Sequence, residues 1–319
     1  MIDILSYTYH YLACGITVIL PALGVSIGQG ITSLATVEAL TLQPAARNEI
    51  SQTFIIAMAL IETAAILSFI VGLKLALAGS HPELENAALI HYAELGIAAA
   101  MGISGCISGI MSAFPARQAC LAVARQPFFT NKIQLLMVIT QSLMQTPIIL
   151  GLIVALLLQG QLETVTTLTD SLRLIGSGLC LGLGSIGPVI GIGLLAREAC
   201  TTAGINKNVF PKTLTFTVIS AALIESAIIF SLIISLFLLK PCSHTLYKGI
   251  VLIGAGATMG LGTLGVGISS GRLTAQVCRI IALKPELYSQ LSKTSFFSQV
   301  LIETSAVYAL IISLGLIVL

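Results

Sequence analysis

The stretch ISQTFIIAMALIETAAILSFIVGLKLALA, residues 50–78, decides the fold. It is long enough to cross a bilayer as a single helix, because such a span needs about 20 mostly apolar residues. Its one acidic residue, Glu62, stands near the middle of the stretch. A charged carboxylate at the bilayer centre costs at least about 2.5 kcal/mol, so acids placed there usually serve transport or binding. Glu62 is therefore the first candidate functional residue.

The rest of the chain has the composition of a membrane protein. Its 319 residues are 56% hydrophobic and 9% charged, whereas about a quarter of a soluble domain is charged. Apolar stretches of membrane length occur at 8–34, 50–78, 88–113, 133–158, 172–196, 213–239, 246–271 and 294–319. The links between them are short, so the sequence predicts an all-α membrane protein with eight transmembrane helices and no sizeable soluble domain.

The sequence around Glu62 is repeated along the chain. LIETA at 60–64 recurs as LIESA at 223–227, around Glu225, and as LIETS at 301–305, around Glu303. The spacing places a further copy near 145, where Gln145-Thr146 stands and an amide replaces the carboxylate. Fixed-period similarity of this kind is the mark of a repeat architecture. The sequence predicts four tandem helical hairpins, with domains 1–82, 83–163, 164–243 and 244–319.

The odd-numbered helices are rich in closely spaced glycines, as in Gly182, Gly184, Gly187, Gly191 and Gly193. Small residues let membrane helices approach closely, since lipid supplies no hydrophobic force to hold helices together. We therefore expect an inner layer of Gly-rich helices. The bulkier even-numbered helices, which carry the carboxylates, should form an outer layer.

Charge placement predicts the orientation in the membrane. Of the 15 Lys and Arg residues, 11 fall in or beside the links within hairpins, and only four lie at the opposite ends: Lys74, Arg173, Lys240 and Lys248. The positive-inside rule then places those links in the cytoplasm and both termini on the non-cytoplasmic side. The net charge of +2 gives no reason to expect a nucleic-acid partner. Without a Gly-rich phosphate loop followed by Lys-Ser or Lys-Thr, we expect no catalytic site and no cofactor.

The intramembrane carboxylates have the chemistry of an ion carrier. Desolvation disfavours their charged form and a nearby cation favours it. Such a group holds a proton or small cation while it faces lipid and releases the ion near a fixed positive charge. A hydroxyl that can donate a hydrogen bond or bind a hard cation follows each repeat position: Thr63, Thr146, Ser226 and Thr304.

A Gly-rich helix, the link Ala-Arg-Gln-Pro at 124–127 and a helix with a central Glu together resemble the c subunit, the rotor-ring proteolipid, of F-type ATP synthases. The resemblance covers essentially the whole chain. It implies self-association into a rotor ring in membrane lipid, with carboxylates that exchange ions with the stator a subunit, and contact with the central-stalk subunits gamma and epsilon. The implied location is the bacterial inner membrane, as a multi-pass protein. Gln145 is then a silent ion position.

The resemblance also assigns roles to single residues. The stalk-contact link is best matched by Arg125, Gln126 and Pro127; weaker matches are Gln43, Pro44, Lys284 and Pro285. Gln29, in the same hairpin as Glu62, stands where sodium-binding members have a Gln on the inner helix, and Tyr308 matches a tyrosine of such sites. The transported ion is therefore taken as H⁺, with Na⁺ left open at Gln29 and Glu62.

Other interpretations remain open from the sequence. A V-type ATPase proteolipid also fuses hairpins and loses carboxylates in some copies, and a secondary transporter can contain internal repeats with polar sites at mid-membrane. Outside the repeat positions, Glu94 is interpreted as a solvated interfacial acid. The histidines show no metal-ligand spacing: they are His10, His81, His91 and His244.

Overall fold

In a computed structural model, the described residues 2–79, 86–241 and 245–318, with side chains from residue 8, form eight long α-helices. Their bounds are α1 Ile2–Leu42, α2 Arg47–Ala78, α3 Ala87–Arg125, α4 Thr130–Gln161, α5 Leu168–Ile205, α6 Phe210–Leu238, α7 Leu246–Leu283 and α8 Tyr288–Val318. All eight are long and apolar enough to cross a membrane. The predicted fold class is confirmed.

Each hairpin turns through a single short 3₁₀ turn. Three of these turns begin with proline, at Pro44, Pro127 and Pro285. Proline fixes its own φ and pushes the preceding residue out of the helical region, so the inner helix must end there. In hairpin three, Asn206 takes over this role, because its side-chain oxygen accepts a hydrogen bond from the Asn208 N–H at 3.1 Å. The same turn therefore forms without proline.

The helices pack in two rows. The odd-numbered helices α1, α3, α5 and α7 contact one another in succession and form the most extensive helix pairs of the molecule, while each even-numbered helix packs on the odd helix of its own hairpin. Glycines set the approach within the odd row: a Cβ added at Gly191 would collide with the Gly267 carbonyl, and one at Gly28 with that of Gly109. The predicted close-packed Gly-rich layer is present.

The repeat keeps one register throughout. Glu62, Gln145, Glu225 and Glu303 occupy the same position in their even-numbered helices, about 22 Å along the axis from the first residue; those first residues are Arg47, Thr130, Phe210 and Tyr288. The four positions are also equally far from the last residues of the preceding odd-numbered helices: Leu42, Arg125, Ile205 and Leu283. Aligning the hairpins on these positions therefore gives the equivalent of any helical residue in the other three hairpins.

Two cations at the end of the molecule opposite the links cap outer helices. Arg173 of α5 is buried and donates to the carbonyls of Leu238 and Leu239, at the end of α6. Lys248 of α7 donates to the Ile317 carbonyl of α8 at 2.8 Å. The last carbonyls of a helix have no partner within the helix and carry partial negative charge. These contacts stabilise the ends of two even-numbered helices.

Candidate functional site

The four repeat positions share one level but differ in environment. Glu225 and Glu303 are half-buried between helices, Glu62 is exposed, and Gln145 is only 4% exposed. Glu225 lies near the Thr146 side chain, which belongs to the preceding even-numbered helix. A carboxyl therefore borders the cleft between its own outer helix and the outer helix of the hairpin before it.

Hairpin two fills that position with a fixed amide. The Gln145 side chain donates to the Leu60 carbonyl at 3.0 Å and to the Ser112 hydroxyl at 3.1 Å. One turn away, Gln141 donates to the Ser112 carbonyl at 3.0 Å. A carboxamide has no titratable proton at this position. The arrangement ties α4 to α2 and α3 instead of presenting an exchangeable group.

The hydroxyls that follow the three glutamates bond to their own helices. Thr63, Ser226 and Thr304 donate to the carbonyls of Ala59, Leu223 and Leu301, at 3.3, 2.6 and 2.7 Å respectively. The sequence suggested that such hydroxyls can donate to a carboxylate. Among the hydrogen bonds of these described side chains, none of the three does so. A hydroxyl oxygen retains acceptor lone pairs, so each remains available to a cation.

Gln29 and Tyr308 lie at the two open edges of the helix rows. Gln29 is half-buried on α1, and no hydrogen bond joins it to Glu62 among the described residues. Its equivalent in hairpin two, Ser112, does bond to the repeat position Gln145, so this inner-helix position faces the level that the four repeat positions share. Tyr308 is exposed on α8, beyond Glu303 along the helix. Their assignment to a sodium site stays a prediction.

The link residues form a polar and aromatic surface at one end of the molecule. Gln126 donates to the Gly204 carbonyl of the next hairpin at 2.8 Å, which fixes the second link against the third. A cavity of about 580 Å³ lies between them, lined by Arg125, Gln126, Pro127, Phe128, Asn206 and Lys207 among others. Gln43, Pro44, Lys284 and Pro285 occupy equivalent positions in the first and fourth links. Stalk contact is untested and stays a prediction.

Three residues that no sequence pattern connected lie close together at the end of the molecule opposite the links. His10 of α1 lies 2.8 Å from the Glu94 carboxylate of α3, and the His91 ring lies beside that of His10, with centroids 5.3 Å apart and the ring planes tilted by 47°. Glu94 is 3% exposed, so its interpretation as a solvated interfacial acid is wrong. The long sequence separation of His10 from Glu94 hid this approach, because only the packing of α1 on α3 brings them together. His81 and His244 lie outside the described residues.

The comparisons with known proteins agree with the repeat. The profile of the family described as the ATP synthase C subunit matches four segments, 12–75, 95–158, 175–238 and 253–316. The ATP synthase c subunit of Dehalococcoides mccartyi is 39% identical over 70 residues, 22% of this chain and 92% of that protein. An ATP synthase c subunit of Cereibacter sphaeroides, designated 2, is 40% identical over 63 residues, 20% and 76% respectively. Each relative corresponds to about one hairpin.

Proposed function

This multi-pass membrane chain belongs to the ATP synthase c-subunit family, and from that premise we propose that it builds the rotor ring of a rotary ATP synthase. Glu62, Glu225 and Glu303 carry the ion, and Gln145 marks a silent step. The observation that carries the proposal is the shared level of these four positions, each equally far into an apolar helix of membrane length. A rotor needs its ion sites at one height, because every site must meet the same two stator paths.

Ring formation is supported by the surfaces that α2 and α8 leave uncovered at the two ends of the helix row. Glu225 faces Thr146 on the outer helix of the hairpin before it. By the same register, the helix that should cover Glu62 is α8 of a neighbouring copy, and the residue equivalent to Thr146 there is Thr304. Both Glu62 and Thr304 are exposed in the single chain. We assign the Glu62 site to the junction between two copies.

The inner row supports the same junction. Gly193 and Gly271, equivalent to Gly30, each lie against the preceding odd-numbered helix, whereas Gly30 has nothing within 4 Å. On α7, Gly265 also has nothing within 4 Å, while its equivalent Gly187 abuts the backbone of the next helix. The unmatched faces of α1 and α7 are thus the two halves of an interface that recurs inside the chain. A head-to-tail contact of this kind closes into a ring when the rotation between successive copies is a whole fraction of a turn.

The proposed ion is H⁺. Among the described residues, the sodium-type features are divided: Gln29 stands in hairpin one and Tyr308 in hairpin four. Across a junction, however, α8 of one copy lies beside α2 of the next, so Na⁺ at the Glu62 junction is the specific variant to test. The stator a subunit would supply the cation that separates the two ion paths, and subunits gamma and epsilon would contact the links.

The silent position, Gln145, favours ATP hydrolysis over ATP synthesis as the direction in which the ring operates. Each charge that crosses contributes about 2.3 kcal/mol per 100 mV, so a ring that skips one site in four gains a quarter less work per revolution. Such a ring needs a larger driving force to make ATP and is better suited to ion pumping driven by hydrolysis. This is the property expected of the V-type proteolipid alternative, and Gln145 is the observation in its favour. The proposed location is a bacterial inner membrane, with both termini on the non-cytoplasmic side.

The test combines assembly and transport. The intact assembly, extracted from membranes, should have a ring mass that is a whole multiple of 33.3 kDa. After reconstitution with its partners, the combined substitution of Glu62, Glu225 and Glu303 by Gln should abolish ion flux. Glu163→Gln, at an exposed acid outside the ion level, is the matched control. Full flux in the triple variant would rule out these carboxylates as carriers.

A further inference from the structure

A compact cluster of two imidazoles and a carboxylate lies between hairpins one and two. His10, His91 and Glu94 are 1%, 2% and 3% exposed. One potential ligand atom from each residue lies within 4.8 Å of those of the other two. Two His and one Glu are the ligand set of several zinc sites, which leave a fourth position for water.

The spacing suits a small metal ion with little rearrangement. Zinc bound tetrahedrally at about 2.1 Å holds its ligand atoms about 3.4 Å apart, and modest side-chain rotations bring atoms within 4.8 Å to that separation. The His10 Nδ1 to Glu94 Oε2 distance of 2.8 Å would open slightly. A buried carboxylate is costly unless it is paired or bound to a metal, and a divalent cation neutralises it.

With the level shared by the repeat positions set at mid-membrane, the cluster falls outside the hydrocarbon core, where ions from water can reach it. His10 precedes Gln29, which is at the ion level, by about 28 Å of helix. Half of the hydrocarbon thickness is only about 15 Å. A cavity of about 610 Å³ reaches Glu94 and is lined also by Lys74, Gln159 and Glu163. Lys74 and Glu163 carry opposite charges, so these two residues together give the cavity lining no net charge.

The cluster is not imposed by the repeat. In hairpin three the positions equivalent to His10 and His91 are Arg173 and Ser171, and the position equivalent to Glu94 is Leu174. Arg173 caps the end of α6 instead. The ligand set therefore belongs to the contact between hairpin one and the silent hairpin two, apart from the ion-carrying machinery.

We propose that His10, His91 and Glu94 form a binding site for one Zn²⁺ ion per chain, which ties α1 to α3 at the end of the molecule opposite the links. The fourth ligand is a water molecule held in the adjoining cavity. The ion neutralises the buried carboxylate and adds a coordination link between two helices that the Tyr9 and Tyr92 rings also join there, with ring centroids 4.6 Å apart.

The test uses the intact assembly, purified without a histidine tag and stripped of metal with a chelator. Zn²⁺ is then titrated by calorimetry, and the metal content after desalting is measured. We expect one Zn²⁺ per chain, with nitrogen and oxygen ligands at about 2.0–2.2 Å by X-ray absorption. Losing a residue that only supports a metal ligand weakens metal binding by about 10- to 100-fold. The substitutions His10→Ala, His91→Ala and Glu94→Gln remove the ligands themselves, so each should weaken Zn²⁺ binding by more than that.

Glu163→Gln is the matched control, because it removes a carboxylate from the same cavity without removing a ligand. It should change the affinity by less than about threefold, the scale of a screened surface charge. If a variant fails to assemble, the stoichiometry and the absorption spectrum of the unmodified assembly still decide. No saturable Zn²⁺ binding, or binding that survives both His10→Ala and His91→Ala, would overturn the proposal.

Discussion

The Gln145 carboxamide donates a hydrogen bond of 3.1 Å to the hydroxyl of Ser112 on the facing inner helix. A second bond of 3.0 Å runs to the Leu60 carbonyl of the preceding outer helix. Buried polar groups are costly without partners, so this pair of bonds holds hairpin two in place at the ion level. The same contacts hold the Gln145 side chain in one place, and its amide has no titratable proton to exchange.

Replacing Gln145 by Glu should convert the silent step into an ion-carrying one. A carboxyl at this position gains a titratable proton, and the Ser112 hydroxyl can rotate to donate to it. We expect the number of ions moved per chain to rise from three to four, and the ion-to-ATP ratio of the reconstituted enzyme to rise by a third. Thermodynamic balance between ATP hydrolysis and a set membrane potential measures this ratio, and ring mass must be unchanged.

Gln141→Glu is the control for that experiment. Gln141 is buried one turn away and contacts the same inner helix through the Ser112 carbonyl, but it lies off the ion level. We expect this variant to destabilise the chain and leave the ratio at its starting value. A ratio that stays constant in Gln145→Glu, in a ring of normal size, would remove position 145 from the ion path.

Carbodiimides should label the three intramembrane glutamates selectively, because these reagents attack protonated carboxyls in apolar surroundings. Glu225 and Glu303 are half-buried between apolar helices and each has a carboxylate oxygen without a hydrogen-bond partner. Peptide mapping should find the label at Glu225, Glu303 and Glu62, with ion flux blocked in parallel. Labelling confined to exposed link acids such as Glu163 would contradict the carrier assignment.

The fold could be predicted well from the sequence because its determinants are local and repeated. Helix length follows from apolar composition, the turns from Pro44, Pro127 and Pro285, and the shared level of the four repeat positions from the spacing of one motif. Each of these signals lies within a single hairpin. The four matched family segments repeat the same information four times, which fixes the register even where hairpin three lacks its proline.

What the sequence could not predict depends on contacts between hairpins. The hydroxyl of Thr146 faces the carboxyl of the following hairpin rather than a group of its own. Likewise, His10 meets Glu94 only through the packing of α1 on α3. A pair of residues that recurred at the same spacing in every hairpin could have been recognised in the sequence. Neither of these two pairs is repeated in all four copies.

Alanine at Gly191 should destabilise the chain by about 1–3 kcal/mol, the usual cost of overpacking. The added Cβ would collide with the Gly267 backbone, which cannot rotate away as a side chain could. Denaturant titration of dissociated chains in detergent, followed by circular dichroism, gives the free energy of unfolding.

Gly160→Ala is the control, since nothing lies within 4 Å of that Cβ. It should be neutral or stabilising by up to about 1 kcal/mol. Equal effects of the two substitutions would contradict the close packing of α5 on α7.

Cysteines placed at Gly30 and Ser269 should form a disulfide between neighbouring copies. Inside the chain, Gly271 lies against Gly191, and Gly193 against Met111; each pair is equivalent to Gly30 with Ser269 across the junction. Both residues are exposed in the single chain, and a disulfide requires Cα atoms about 4.4–6.8 Å apart. Mild oxidation of the double variant in membranes should give a ladder of linked chains on a denaturing gel, collapsed by reductant. Each single variant, which retains the native cysteines, should stay at the mass of one chain. If the double variant also remains monomeric while the assembly keeps its ring mass, the copies are joined through surfaces other than α7 and α1.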